Sequence, residues 1–168
     1  FQMFHQFMNR RFLTASALVL ALTGCATSPT PVSTAETIAS NPQLSTLNSL
    51  IVKAGLVDTL KGAGPFTVFA PSNEAFSKVP ANTLADIGAD PARLKAVLTY
   101  HVLPGKVMAA DIKNNSSVKT VNGANVGVSK AGEFVTVEDG MVQKADLNAT
   151  NGVVHIIDSV LIPPPAPR

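Results

Sequence analysis

Four dipeptides ending in glycine punctuate the second half of the chain, Asn122-Gly123, Ala131-Gly132, Asp139-Gly140 and Asn151-Gly152, with short apolar runs between them. Glycine takes the positive φ that tight hairpin turns demand, so such dipeptides between apolar runs make the backbone reverse. The runs they separate, Ser117 to Val121, Ala124 to Val128, Glu133 to Val137 and Met141 to Leu147, are therefore expected to be antiparallel strands. Val153 to Ile162 is longer and β-branched, which predicts a central strand closing the sheet.

The first half follows a helical period instead. Leu44, Leu47, Leu50, Ile51 and Ala54 recur at spacings of three and four behind Asn41-Pro42, a capping side chain before a first-turn proline, and Gly55 ends that helix. A shorter stripe, Leu56, Val57 and Leu60, closes at Gly62, and Asp90-Pro91 opens a helix with Leu94, Val97, Leu98 and His101 on one face. Between these, Phe66 to Ala70 reads as a buried strand stopped by Pro71, after which Ser72 caps a short helix carrying Ala75 and Phe76. Helices first and a β-meander afterwards give an α+β fold, with one core expected.

The ends read differently. Arg10-Arg11, an apolar run from Phe12 to Leu22, and then Leu22-Thr23-Gly24-Cys25 have the layout of a bacterial lipoprotein signal over residues 1–24, with Met8 placed to begin a compact leader. The run has eleven residues, against the roughly 20 that a membrane-spanning helix needs, so the expected anchor is lipid on the Cys25 sulfur. The alternatives are a secreted chain whose cysteine falls in its leader by chance, or a free buried thiol. Residues 25–33 are rich in Pro, Ser and Thr and read as a tether, residues 34–163 as the folded domain, and the proline-rich residues 164–168 as a tail. The expected location is the cell envelope: the outer membrane in a Gram-negative cell, otherwise the outer face of the cytoplasmic membrane.

Without the leader the chain carries 11 basic and 11 acidic residues and no basic cluster, which argues against nucleic acid as a partner. The folded part has two histidines, His101 and His155, and Cys25 is assigned to lipid, so no His/Cys cluster for zinc or haem is expected and no cofactor is assigned. Ser72 lacks the glycine-flanked elbow of a catalytic serine and is read as a helix cap, and no acid/base or nucleophile constellation points to an enzyme. His101 lies on an apolar helix face and His155 inside a strand, positions that favour buried, hydrogen-bonded rings over ligand contacts. Tyr100 falls about 100° round the helix from His101, a position open to exposure.

Three segments also carry a resemblance. Thr67-Val68-Phe69-Ala70-Pro71-Ser72-Asn73-Glu74-Ala75-Phe76, Tyr100-His101-Val102-Leu103-Pro104-Gly105 and the run from Asn151 to Leu161 are similar, in order and spacing, to the signature segments of the fasciclin domain family. The resemblance covers about Thr34 to Pro163 and implies helices packed against an antiparallel β-wedge, with Thr67, Phe69, Pro71, Phe76, His155 and Asp158 as structural motif residues. It also implies a surface-attached adhesion or matrix-interaction module, and it marks Tyr100 and His101 as candidate binding residues because that region is implicated in receptor binding in some animal members. Some family members bind pigments, which keeps a second function open: a carrier of an apolar small molecule. The expected partner is an extracellular or envelope protein or matrix component, with the membrane engaged through lipid alone and the chain a monomer.

Overall fold

The computed structural model describes residues 32–164. The leader, Cys25, most of the tether and the tail beyond Pro164 lie outside the described residues.

The first half of the described chain holds the helices α1 (Thr34–Ala39), α2 (Ser45–Lys53), α3 (Val57–Lys61), α4 (Asn73–Lys78), α5 (Ala81–Ala89) and α6 (Pro91–Tyr100), interrupted by strand β1 (Phe66–Pro71). Strands β2 (Val102–Pro104), β3 (Ser116–Lys119), β4 (Asn125–Ala131), β5 (Phe134–Val137), β6 (Gly140–Ala149) and β7 (Gly152–Ile157) follow. Local chemistry sets the helix starts. The Asn41 side chain accepts from Gln43 N–H at 3.0 Å to open a single 3-10 turn, Pro42–Leu44, which runs into α2. The Ser72 hydroxyl accepts from Ala75 N–H at 3.3 Å, and Asp90 accepts from Ala92 N–H at 2.9 Å. Helix α1, which the periodicity did not suggest, begins with a capping box in which Ser33 and Glu36 bond each other's backbone. Helix α5 and the three-residue β2 were not anticipated either.

The seven strands form one sheet in the order β2-β1-β7-β6-β5-β4-β3. The meander β3 to β7 is antiparallel throughout, whereas β7 lies parallel to β1, from Phe66 opposite Gly152 to Pro71 opposite Ile157. A parallel pair joins strands far apart in sequence, and the intervening chain covers both of its faces. Accordingly every residue of β7 is buried, and so is β1 from Thr67 onward. Pro71 still pairs with Ile157, so β1 runs one residue past Ala70.

Alternation along this central pair divides the core in two. Val68, Ala70, Val154 and Ile156 face the helices, where Ile38, Leu47, Leu94 and Leu98 pack on them. Phe69 and Ile157 face the opposite way, into a cluster with Tyr100, Leu103, Val126, Val128, Val135 and Val137 from the meander side. The expected long closing strand ends at Ile157, because the Asp158 carboxylate accepts from Met141 N–H at 2.7 Å and turns the chain out of the sheet. Ser159–Pro164 then crosses between α6 and the meander as a strap without regular secondary structure, with Leu161 buried in the second cluster.

Candidate functional site

The three signature segments meet around β1 and β7, and their polar side chains bond one another's backbones. Thr67 Oγ1 donates to Gly105 O and accepts from Val107 N–H, both at 2.8 Å, pinning the loop after β2 to β1. His155 is opposite Phe69 across the parallel pair, and their rings stack with centroids 5.5 Å apart. Its Nε2 lies 2.9 Å from Val107 O, and its Nδ1 accepts from Asp146 N–H at 3.1 Å. The second bond exists because β6 shifts register between Lys144 and Leu147, where Asp146 adopts φ 57° and aims its N–H inward. Nδ1 is thus an acceptor and Nε2 carries the proton. Burial lowers the pKa of His155 below its ordinary value, against the opposing pull of Val107 O and the Asp146 charge, which keeps the ring neutral.

His101, which forms the C-terminal cap of α6, is bonded with the opposite tautomer. Nδ1 sits 2.7 Å from Val97 O, one turn back, and Nε2 accepts from Leu161 N–H on the strap at 3.0 Å. Burial holds its pKa down at about 4. Asp158 accepts from Met141 N–H and meets Lys78 Nζ at 3.4 Å, and these contacts lower its pKa. Phe76 packs into the helix-side core, and Pro71 ends β1 opposite Ile157.

Tyr100 departs from the expectation of exposure: it is 3% exposed and belongs to the second core cluster. The helical angle places it away from His101, but the chain that follows folds β4 back over that side of α6, so the ring is covered and its hydroxyl donates to Asn125 O at 3.1 Å. Desolvation, with the nearby Glu138 carboxylate, raises its pKa. His101 is likewise buried, 2% exposed, while the edge of Tyr100 borders an open cleft with Asn125, Glu138 and Gly140.

Asn151 has a larger role than its reading as a turn residue. Its Oδ1 accepts from Thr34 N–H at 2.8 Å, and its Nδ2 donates to Leu60 O at 2.6 Å and Gly62 O at 3.0 Å. Together with the bond from Thr150 N–H to Val32 O, this latch ties the segment before α1 to the β6–β7 turn. Asn73 acts similarly for α2, which has no side-chain cap of its own: Asn73 Oδ1 accepts from Thr46 N–H at 3.1 Å. A sequence gives no signal for either latch, since the partners lie 27 to 117 residues away.

Among the described residues, every buried side-chain nitrogen and oxygen has a hydrogen-bond partner, and no group of three or more His, Cys, Asp or Glu is arranged to hold a metal ion. The apolar cavity between α2, α3, α6 and β1 measures about 30 Å³, room for about one water, whereas pockets for drug-sized ligands run to roughly 300–1,000 Å³. Larger clefts, of about 440 and 450 Å³, flank the strap and open to solvent. Large apolar side chains do reach the surface elsewhere: Phe134, 64% exposed, and Met141, 45% exposed, lie on the outer face of β5 and β6.

The family model of the fasciclin domain matches residues 42–163. Protein sll1483 of Synechocystis sp. is 40% identical over 131 residues, covering 77% of this chain and 72% of that protein. The cell surface glycolipoprotein MPB83 of Mycobacterium bovis is 38% identical over 139 residues, 80% of this chain and 61% of the relative. Among solved structures, a FAS1 domain pair from the insect cell adhesion molecule fasciclin I superposes with a TM-score of 0.60 at 27% identity, over 72% of this chain and 46% of the pair.

Proposed function

The chain belongs to the fasciclin domain family, and from that premise we propose that it is a noncatalytic interaction module outside the cytoplasm, held to a membrane by lipid on Cys25. The observation that carries the noncatalytic reading is that the motif side chains are occupied internally. Thr67, His101, His155 and Asp158 each bond backbone groups of another segment, so these four side chains hold the fold together and none of them stands free as an acid, base or nucleophile. The surface placement draws support from relatives named as a cell surface glycolipoprotein and a cell adhesion molecule. The Leu-Thr-Gly-Cys leader motif supports the lipid anchor.

With Tyr100 buried, the side chain to test at an interface is Phe134, because exposed aromatic residues often anchor protein contacts. Purified protein is expected to be retained on cells or matrix, and Phe134→Ser to lose retention at an unchanged melting temperature. No retention of the wild type sinks the adhesion reading, and a stoichiometric apolar ligand in the purified protein replaces it with the carrier. For the anchor, mass spectrometry of the mature chain should find Cys25 as a lipidated N-terminus. A Cys25→Ser chain that is still processed and membrane-bound would refute it.

A further inference from the structure

The strap Ser159–Pro164 follows Asp158, which is fixed at the sheet end through Met141 and Lys78. Among the described residues, one hydrogen bond joins this strap to the rest of the fold, from Leu161 N–H to His101 Nε2 at 3.0 Å. That nitrogen can accept because the other, Nδ1, holds the ring's proton against Val97 O at 2.7 Å. Beyond the bond, the strap is attached by the buried Leu161 and half-buried Val160, while Ile162 is 54% exposed. Open clefts lie along both sides of it, one lined by Asp86, Arg93 and Val97, the other by Tyr100, Glu138 and Gly140.

We propose that His101 is a proton-released clasp: protonation of Nε2 sets an N–H against the Leu161 N–H, and the strap lifts from α6 while β1 and β7 stay paired. A ring with both nitrogens protonated has no lone pair left for Leu161, and the same strap position then opposes two donors. The lifted strap removes Val160 and Leu161 from the core and joins the two clefts into one apolar-floored groove.

Among the described residues, no opposing charge stabilises the imidazolium in place. His101 lines two small cavities together with Leu47 of α2, Leu60 of α3, Phe76 of α4, Ile87 of α5, Val68 of β1 and Val160 of the strap. The charged or titratable groups on those elements and on α6 are Lys53, Asp58, Lys61, Glu74, Lys78, Asp86, Arg93, Lys95 and Tyr100, with Asp158 at the strap's start, and none of them lines the space around the ring. Burial lowers the pKa of the ring to about 4, so protonation and opening are coupled across the acidic range below the ordinary value of 6.5.

Amide hydrogen exchange on the full chain, corrected for intrinsic rates, tests this between pH 7 and pH 4.5. Leu161 should lose protection by up to about tenfold per pH unit, roughly 50-fold over the range because the dependence flattens near 6.5 and near 4, while Val154 and Ile156 in β7 lose far less. Constant protection of Leu161, or an equal loss at Ile156, overturns the proposal. Ring nitrogen shifts provide a second measurement that needs no variant: at pH 7 they should report the proton on Nδ1, and a proton on Nε2 overturns the clasp. His101→Gln, which cannot titrate, should keep Leu161 protection independent of pH, and a pH dependence like that of the wild type overturns it.

Discussion

Gly152 opens β7 directly against Phe66, and a side chain there has no room. A Cβ built on Gly152 falls 1.8 Å from Phe66 O, 2.7 Å from its carbonyl carbon and 2.9 Å from its nitrogen, all backbone atoms of the neighbouring central strand. Relieving the overlap requires β1 and β7 to part at this end by about 1.5 Å, since carbon and oxygen pack no closer than about 3.3 Å. The bond from Phe66 N–H to Asn151 O, 2.9 Å long, breaks first, and the Asn151 latch on Thr34, Leu60 and Gly62 moves with it. Each buried polar group left without a partner costs about 1–3 kcal/mol, so two or so give an expected loss of about 3–5 kcal/mol for Gly152→Ala. For a domain of this size that is a fall in melting temperature of roughly 10–20 °C. Gly123→Ala is the control: it has φ +95° but nothing within 4 Å, so it carries only backbone strain, about 1–2 kcal/mol. Urea unfolding followed by circular dichroism suits a chain without tryptophan and yields both values. Equal costs for the two substitutions would refute the reasoning, because the crowding between strands would then contribute nothing.

Phe69→Ala should cost about 3–5 kcal/mol, since Phe69 is fully buried and stacked on His155, and urea unfolding measures it. Tyr100→Phe removes the bond to Asn125 O but keeps the ring, so its cost should stay near 1 kcal/mol, whereas Tyr100→Ala should cost about 3–5; a harmless Tyr100→Ala would return that residue to the surface. Acid should destabilise the domain well before its carboxylates titrate. The folded pKa of His101, about 4, lies below the ordinary 6.5, so the unfolded chain takes up the proton first. The stability this histidine contributes is complete above about pH 6.5 and is lost as the pH falls towards 4, by about 3 kcal/mol. His155 acts in the same direction, and the lowered Asp158 adds a further loss below about pH 4. Unfolding free energies measured from pH 7 to pH 4 that stay level would contradict the buried, neutral state of both rings.

The helix starts at Asn41, Ser72 and Asp90, the reversals at Gly123 and Gly132, and the order of helices before strands were all legible in the sequence. Each is set by atoms a few residues apart: a side-chain oxygen reaching a backbone N–H two or three positions on, or a glycine at a turn. The central place of the run after Gly152 was legible too, because a strand covered on both faces needs apolar residues at every position. Helix α1 could have been found from Ser33 and Glu36, whereas α5 has no side-chain cap and buries Ile87 alone, and β2 is only three residues held by its pairing with β1. Only the tertiary structure decided that β7 lies parallel to β1, that β4 covers Tyr100, that Asn151 ties Thr34 to Leu60, and that the two histidines adopt opposite tautomers. Those outcomes depend on groups brought together from distant parts of the chain, and local spacing carries no information about which distant carbonyl or N–H a ring nitrogen or amide will meet.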